Sequence, residues 1–283
     1  PNPKPQTPNP VAGNRGRLVF NTNSMITRQI EIINMSILKY DVDCSTWSPQ
    51  GKILQVDYAK EAVKQGSICL AIRSSEGAVL LSIKKNPSKL ATYQEKIFKV
   101  SKRVGVGISG MTGDARKLVQ FMNAKSVKAE LKKKKPASSS SLSNKLMKKM
   151  HDRTVTYGKR PYGVGLLVIG EIDDGFGVFE LTPAGEKIEY EAFAIGAKSQ
   201  SAKTYLEKHL PTFKKAEVEK LVLHGLSAIK AGYRDEPEDM SEKNVEVATV
   251  SKNADFRIWN KEEIKNFLAR QKDFKPEAEM IIE

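Results

Sequence analysis

The sequence is poor in the residues that form disulfide networks and metal sites. Its 283 residues include two cysteines, Cys44 and Cys69, and three histidines, His151, His209 and His224. Two cysteines are too few for a disulfide framework, which favours a reducing compartment. The histidines are scattered, and none has a cysteine or a second histidine at the spacing of a metal-ligand pair. We therefore expect neither a structural metal nor a cofactor.

Long apolar runs are missing as well. No run approaches the roughly 20 residues that a membrane-spanning helix needs, and no basic leader followed by an apolar segment indicates secretion. Hydrophobic residues nevertheless make up 40% of the chain and charged residues 28%, which is enough for a folded core. We expect one large domain or two small ones, without a membrane partner.

Positive charge is what the sequence has in excess, with a formal net charge of +14. Such a charge raises nucleic acid as a partner. The densest run, Lys132–Lys135, lies beside Pro136 and Ser138–Ser141, and we predict a basic, serine-rich loop over residues 131–144. No zinc-finger spacing or aromatic-rich RNA-binding signature accompanies this run. A solvated loop therefore explains it better than a nucleic-acid site, and a nuclear-import signal is a third reading.

The two ends of the chain differ from its middle. Residues 1–34 open with a proline-dense segment and have no sustained periodicity, which predicts a disordered extension. A more regular stretch begins at Met35. We expect a folded domain over residues 35–273 and a charged tail over residues 274–283.

The stretch Tyr40–Gly66 combines a turn signal with a helical pattern. Ser48–Gly51 (SPQG) predicts a turn, and the residues after it predict a helix that ends with Gly66 in a left-handed conformation. The polar residues of this helix share one stripe: Asp57, Lys60, Glu61 and Lys64. Its remaining surface is apolar or small and is wider than one core contact requires. We expect a second surface to cover it, with an ordinary buried helix as the alternative.

The rest of the domain alternates groups of strands with groups of helices. Strands are predicted at Ser67–Arg73, Ala78–Lys84, Lys96–Val100, Val104–Ser109, Val164–Gly170, Gly175–Leu181, Lys187–Ala194, Val245–Val250 and Phe256–Trp259. Helices are predicted after a Thr112 cap, from near Leu142, and at Ser199–Leu210 (ended by Pro211), Lys215–Gly232 and Lys261–Gln271. Short turns between strands imply antiparallel sheets, and paired helices imply outer layers. We predict an α+β fold with two antiparallel sheets packed face to face between helical layers.

Short motifs follow one another in order along this domain. They are Tyr40-Asp41, Trp47–Gly51 (WSPQG), Gln55–Ala59 (QVDYA), Glu61–Ser67 (EAVKQGS), Ser109-Gly110 with Asp114–Arg116, and Arg160–Val164 (RPYGV). Together they resemble the alpha subunits of the 20S proteasome, over about Tyr40 to Gln271. Two further strings resemble the alpha type-one branch, which takes the alpha-six ring position: Tyr157–Gly165 and Ile195–Glu207.

The resemblance implies the four-layer αββα sandwich of N-terminal nucleophile hydrolases, which agrees with the element order. It also implies a noncatalytic structural and gating subunit of the outer alpha ring, which controls substrate entry in ATP- and ubiquitin-dependent protein degradation. The implied partners are other alpha subunits in a seven-membered ring, the beta-ring subunits and the C-terminal tails of activators. The implied location is the cytoplasm and nucleus. The extension before Met35 departs from the family, whose N-terminal tails are short.

The resemblance assigns Lys96, Gly66, Gly110 and Met111 to a pocket between adjacent subunits that receives an activator's tail. A terminal carboxylate entering a partly buried crevice needs a fixed cation, which Lys96 would supply. The glycines would let the main chain of the tail approach closely, and Met111 would add apolar lining. Without the resemblance, Lys96 reads as a surface charge paired with Glu95 or another acid.

A second group of residues matches the family's gate: Tyr40, Asp41, Pro49 and Tyr58. A tyrosine–carboxylate hydrogen-bond network would hold the N-terminal tails upright, and an activator would displace the Pro49 turn. The alternative hypothesis is purely structural: Tyr58 is a core aromatic residue and Pro49 only forms a turn.

The dipeptide Gly66-Ser67 corresponds to the point at which catalytic beta subunits are cleaved to expose a nucleophile. In those subunits the freed N-terminal amine acts as the base for the hydroxyl. Here the segment Tyr40–Gly66 precedes Ser67, so Ser67 has no free N-terminal amine. The resemblance therefore implies no catalytic residue and no proton-transfer role for Lys96. The rival hypotheses are a beta-like peptidase, which requires cleavage before Ser67, and a basic nucleic-acid-binding module.

Overall fold

The computed structural model describes residues 40–85, 90–91, 94–233 and 240–274. The extension predicted over residues 1–34 lies outside them, as does the charged tail except for Phe274. The ten strands of the described part are β1 Cys69–Arg73, β2 Gly77–Ile83, β3 Ile97–Lys99, β4 Val104–Gly110, β5 Val164–Ile172, β6 Gly175–Leu181, β7 Lys187–Tyr190, β8 Ala192–Ile195, β9 Val245–Ser251 and β10 Ala254–Ile258. Its seven helices are α1 Leu54–Gln65, α2 Thr112–Lys133, α3 Ser139–Val155, α4 Ser199–Lys208, α5 Leu210–Phe213, α6 Val218–Gly232 and α7 Lys261–Asp273.

The strands form two five-stranded antiparallel sheets. The first has the order β10-β9-β2-β1-β8 and the second the order β3-β4-β5-β6-β7. Helices α4, α6 and α7 cover the first sheet, α2 and α3 cover the second, and α1 contacts β4 and β5. This arrangement confirms the predicted α+β, four-layer αββα sandwich.

Side chains on both faces of the central strands are buried, so the sandwich has three apolar layers. In β2, Leu80 belongs to the layer between the two sheets, whereas its neighbour Leu81 packs under α6. Successive residues of a strand point to opposite faces. A strand covered on both faces is therefore apolar at every position, and β2 is buried throughout its length.

The strand predicted over Lys187–Ala194 is two strands that belong to different sheets. β7 is an edge strand of the second sheet, and β8 is an edge strand of the first. The chain crosses between the sheets at Glu191, whose carbonyl oxygen accepts from the Arg73 amide. No glycine or proline marks this crossing, so a single-sequence pattern had nothing to indicate it.

The basic segment is mostly helical, which corrects the loop predicted over residues 131–144. Helix α2 continues to Lys133 and α3 begins at Ser139. Lysine is a good helix former, and Pro136 stops the first helix from running into the second. The Ser138 side chain caps α3 by accepting from the Ser141 amide.

Two other predicted helix boundaries are wrong. Thr112 is the first helical residue of α2 rather than its cap, and the capping position, Met111, makes no side-chain cap hydrogen bond. Pro211 does not end a helix but lies in the first turn of α5, where its missing N–H costs nothing.

Candidate functional site

Lys96 lies directly before β3 and is buried, with 8% of its surface exposed. Its Nζ donates to the carbonyl oxygen and to Oγ of Ser67, each at 2.5 Å. Its amide and that of Ile97 both donate to Glu246 Oε2 at 3.1 Å. The surface-charge reading of Lys96 is therefore wrong, and Glu95, its suggested partner, is exposed.

Glu246 on β9 is the buried acid that positions Lys96, and the sequence analysis missed it. Besides the two amides it accepts from Ser82 Oγ at 3.4 Å, and its Oε1 lies 3.3 Å from Lys84 Nζ. These contacts anchor the start of β3, the edge strand of one sheet, to β9 and β2 of the other. An acid inside an otherwise apolar strand (VEVATV) was the available signal.

Burial lowers the pKa of Lys96 to about 8, although the charge of Glu246 opposes the shift. Burial also raises the pKa of the neighbouring Cys69 thiol to about 12, so this cysteine stays protonated at neutral pH. The Lys96 ammonium is thus cationic at neutral pH but loses its proton far more readily than an exposed lysine.

Gly66 ends helix α1 in an extended conformation, with φ −66°, which corrects the predicted left-handed one. It is glycine for a different reason, because a Cβ there would collide with the Gly110 amide nitrogen and lie 2.5 Å from Ser109 Oγ. Ser109 Oγ lies 3.1 Å from both the Val63 and the Ser67 carbonyl oxygens. The end of α1 is therefore held directly against the end of β4.

Gly110 adopts a left-handed φ of +109°, and a Cβ there would collide with the Gly163 carbonyl oxygen. That oxygen accepts from the Met111 amide at 2.8 Å. The Met111 side chain is 48% exposed beside this turn. The structure thus brings Gly66, Gly110 and Met111 together and joins them to Lys96 through Ser67.

The buried carboxylate of Asp114 holds this turn in place through hydrogen bonds. Asp114 Oδ2 and Oδ1 accept from Arg160 Nη1 at 2.6 Å and Nη2 at 2.9 Å, and Oδ2 also accepts from the Gly163 amide at 3.1 Å. Burial alone would raise the pKa of Asp114, but the hydrogen bonds from Arg160 and Gly163 and the Arg160 charge outweigh it and lower the pKa. The two motifs that contain Asp114 and Arg160 therefore meet in one ion pair.

Replacing Arg160 with glutamine is expected to lower the free energy of unfolding by about 1–3 kcal/mol at neutral pH, because the Asp114 carboxylate loses a charged partner. Since the folded-state pKa of Asp114 lies below its ordinary 3.8, the stabilisation is complete above pH 3.8 and is lost as the pH falls through the folded-state value. Urea unfolding at several pH values checks this. Lys159→Gln, which removes an exposed pair with Asp152, is the control and should change little at any pH; equal losses in the two variants would contradict the prediction.

Asp41 and Tyr58 form a second, smaller cluster at the start of the described chain. Partial burial, then the charge of the neighbouring Asp41, raise the pKa of Tyr58. Gln55, which the sequence analysis did not single out, donates through Nε2 to Asp41 O at 2.7 Å and Oδ1 at 3.1 Å. Tyr58 is 46% exposed, so the core reading of this residue is wrong.

The predicted turn at Ser48–Gly51 is present, with the Gly51 amide donating to Ser48 O at 2.9 Å and Gly51 at φ +72°. Pro49 lies exposed on it. Among the contacts of the described residues, neither Tyr40 nor Pro49 hydrogen-bonds to the Asp41–Tyr58 pair. The geometry therefore brings two of the four gate residues together.

Within the described ranges, no three histidine, cysteine or acidic side chains converge as metal ligands. Among the same residues, no helix has the length and apolar content to cross a membrane.

Comparison with known proteins identifies the family to which these motifs belong. Residues 63–250 match the proteasome subunit family, and residues 40–62 match the N-terminal signature of the A-type proteasome subunits. The chain is an alpha-type proteasome subunit. Proteasome subunit alpha type-1 of Dictyostelium discoideum is 39% identical over 81% of this chain and 93% of its own length. Proteasome subunit alpha type-6 of Saccharomyces cerevisiae is 38% identical over 81% of this chain and 98% of its own length, and the probable alpha type-6 subunit of Schizosaccharomyces pombe is 36% identical over 85% and 88%.

As a member of this family, the alpha subunit is a structural component of the outer ring of the 20S core, where it assembles with other proteasome subunits. Alpha-type subunits are noncatalytic members of the threonine protease complex, so the rival hypothesis of a beta-like peptidase is wrong. The geometry around Ser67 agrees with this. Its nitrogen is a peptide amide after Gly66, and its hydroxyl donates to Ile83 O at 2.7 Å, so no free amine is available as a base.

Proposed function

We propose that this alpha subunit docks the C-terminal tail of an activator at the Lys96 site and helps to gate substrate entry into the core. The activity served is ATP- and ubiquitin-dependent protein degradation. One observation carries the proposal: among the described residues, the hydrogen bonds of the buried Lys96 ammonium go only to the two neutral oxygens of Ser67. Glu246 lies near enough for its charge to act on Lys96, but no described carboxylate lies within ion-pairing distance of Lys96 Nζ.

An ammonium group has three donors, and Ser67 occupies two of those of Lys96. The third can bind an incoming carboxylate without breaking either existing contact. The exposed Met111 side chain beside the Gly66–Gly110 contact supplies an apolar surface for the rest of a tail. These features support a site for a short peptide that ends in a carboxylate.

The gating half of the proposal rests on the Asp41–Tyr58 pair and the exposed Pro49 turn. The hydrogen bonds from Gln55 to Asp41, with Tyr58 beside the Asp41 charge, would help to fix the direction in which the preceding chain leaves the domain. The wide apolar side of α1 supports contact with a neighbouring subunit, since only Val56 and Ala59 of this helix are buried within the described chain.

Replacing Tyr58 with phenylalanine in assembled particles tests gating. We expect the stimulation of peptide hydrolysis by an activator-tail peptide to fall about three- to tenfold, because the Asp41 carboxylate loses the polar hydroxyl beside it. Tyr157→Phe is the control, since Tyr157 is 78% exposed and makes no hydrogen bond to other described residues. Equal stimulation of the wild type and the Tyr58 variant would refute a gating role for Tyr58.

We further propose that the subunit belongs to the alpha type-one branch and takes the alpha-six ring position, in keeping with relatives named alpha type-1 and alpha type-6, and that it acts in the cytoplasm and nucleus. The two cysteines are free in the structure, which is consistent with a reducing compartment. Site-specific crosslinking to named ring neighbours tests the position, and fluorescence imaging of the tagged subunit tests the location.

A further inference from the structure

Helices α2 and α3 enclose a surface groove of about 450 Å³ that is lined by lysines: Lys125, Lys128, Lys132, Lys133, Lys145 and Lys148. We call this surface the lysine groove. On α2, Lys125, Lys128 and Lys132 follow one another at spacings of three and four residues, so they lie along one face. Lys145 and Lys148 do the same on α3. The run that looked like a charged loop is therefore part of an ordered, concave surface.

The charge of the lysine groove is not neutralised by the described part of the chain. None of its six lysines forms an ion pair with any residue in that part. The two helices contain three acids, and none of them pairs with a groove lysine. Asp114 pairs with Arg160, Asp152 lies 3.6 Å from Lys159, and Glu130 is exposed. Burial and the charges of Arg153 and Lys125 lower the pKa of Lys149, directly beside the groove. Lys149 is thus crowded by two like charges, one of which, Lys125, belongs to the groove.

The floor of the lysine groove is apolar, formed by Phe121 and Ala129. The Phe121 ring already has two cations near it, Lys149 Nζ at 4.1 Å and Lys125 Nζ at 5.2 Å from its centroid. It is therefore poorly placed to stack on a nucleic-acid base.

We propose that the lysine groove binds an acidic segment of a partner polypeptide that carries an apolar side chain. Carboxylates of the segment neutralise the ammonium groups of the groove, and its apolar side chain covers Phe121 and Ala129. The groove volume suits a few residues of peptide. Nucleic acid fits less well, because the groove lining offers no free aromatic face and no arginine fork for phosphate.

Fluorescence anisotropy with the full-length chain tests this inference. The probe is a short labelled peptide of alternating Asp and Glu with one central Leu, at physiological ionic strength. We expect the triple variant Lys128→Gln, Lys132→Gln and Lys145→Gln to bind it about tenfold more weakly than the wild type, since three charge contacts are lost. The matched control carries Lys261→Gln, Lys265→Gln and Lys272→Gln on α7, where all three lysines are exposed, and should bind as the wild type does.

Two further probes separate the alternatives. A peptide in which Leu becomes Gln should bind more weakly to the wild type, whereas equal binding of the two peptides would remove the apolar anchor and overturn the proposal. A single-stranded DNA probe tests the nucleic-acid alternative. If it binds more tightly than the peptide and loses binding in the groove variant, the groove is a nucleic-acid site and the proposal is wrong. If the groove and α7 variants bind the peptide equally weakly, the effect comes from the net charge of the chain, and the proposal is also overturned. Thermal unfolding of both variants should match the wild type, because the substitutions lie on the helix surface.

Discussion

Particles that carry Lys96→Met in this subunit are expected to lose activator-tail docking at its site, with an affinity about 10- to 100-fold lower for the tail carboxylate. The same variant should be at least as stable as the wild type. Methionine retains the apolar length of the side chain and removes a charge whose burial is unfavourable. The Ser67 carbonyl oxygen stays 3.1 Å from Ser109 Oγ, and Glu246 keeps its two backbone donors, so no buried acceptor is orphaned.

The pH dependence of docking provides a second readout for this prediction. Only the protonated ammonium attracts a carboxylate, and the pKa of Lys96 is about 8. Wild-type affinity should therefore be flat below about pH 8 and fall by up to about tenfold per pH unit above it. The Lys96→Met variant should show a flat profile.

Binding of a labelled tail peptide to purified particles, measured from pH 6.5 to about pH 9.5, gives both quantities. Lys99→Met is the control, since Lys99 lies on β3 but is exposed. If Lys96→Met particles assemble normally and bind the tail with wild-type affinity at every pH, the docking proposal is wrong.

The Gly110→Ala variant is expected to lose about 3 kcal/mol or more of its free energy of unfolding. Two effects combine there, because alanine disfavours a φ of +109° and its Cβ would collide with the Gly163 carbonyl oxygen. That carbonyl is held in place by the Met111 amide. The strain cannot relax without disturbing the turn that also presents Met111.

The matched control is Gly113→Ala, three residues further along the chain. Gly113 lies in the first turn of α2, and a Cβ there meets nothing within 4 Å. This substitution should stabilise the chain by about 0.5–1 kcal/mol, because alanine is the better helix former. Urea unfolding of the two variants gives the comparison, and a Gly110→Ala chain within about 0.5 kcal/mol of the wild type would contradict the assigned strain.

Local patterns predicted the sandwich well because each central strand can be recognised from its own consecutive residues. The two-sided burial of β2 and the short turns between strands are visible in consecutive residues. The crossing at Glu191 was not predicted, since β7 and β8 form one unbroken extended pattern and only their partners in different sheets separate them. The ends of the two helices on either side of Pro136 were missed, because the lysine- and serine-rich composition was given more weight than the helix propensity of lysine.

For the candidate site, too, the sequence motifs predicted which residues belong to it but not the contacts that residues distant in the chain make with them. The resemblance selected Gly66, Lys96, Gly110 and Met111, and the structure brings them together. It could not reveal that Glu246, 150 residues after Lys96, holds the strand that presents it. Nor could it show that Gly66 is glycine because the chain contacts itself at Gly110; the left-handed conformation expected from its position at a helix end was wrong.

The crossing between β7 and β8 also determines how the sandwich can open. On that side the edge strands of the two sheets are consecutive segments of one backbone, so the single linking residue, Glu191, limits how far the sheets can separate there. On the opposite side, β3 and β10 are joined only by non-covalent contacts. We therefore expect the two sheets to open more easily along β3 than at Glu191, and such opening would first have to break the hydrogen bonds from the Lys96 and Ile97 amides to Glu246.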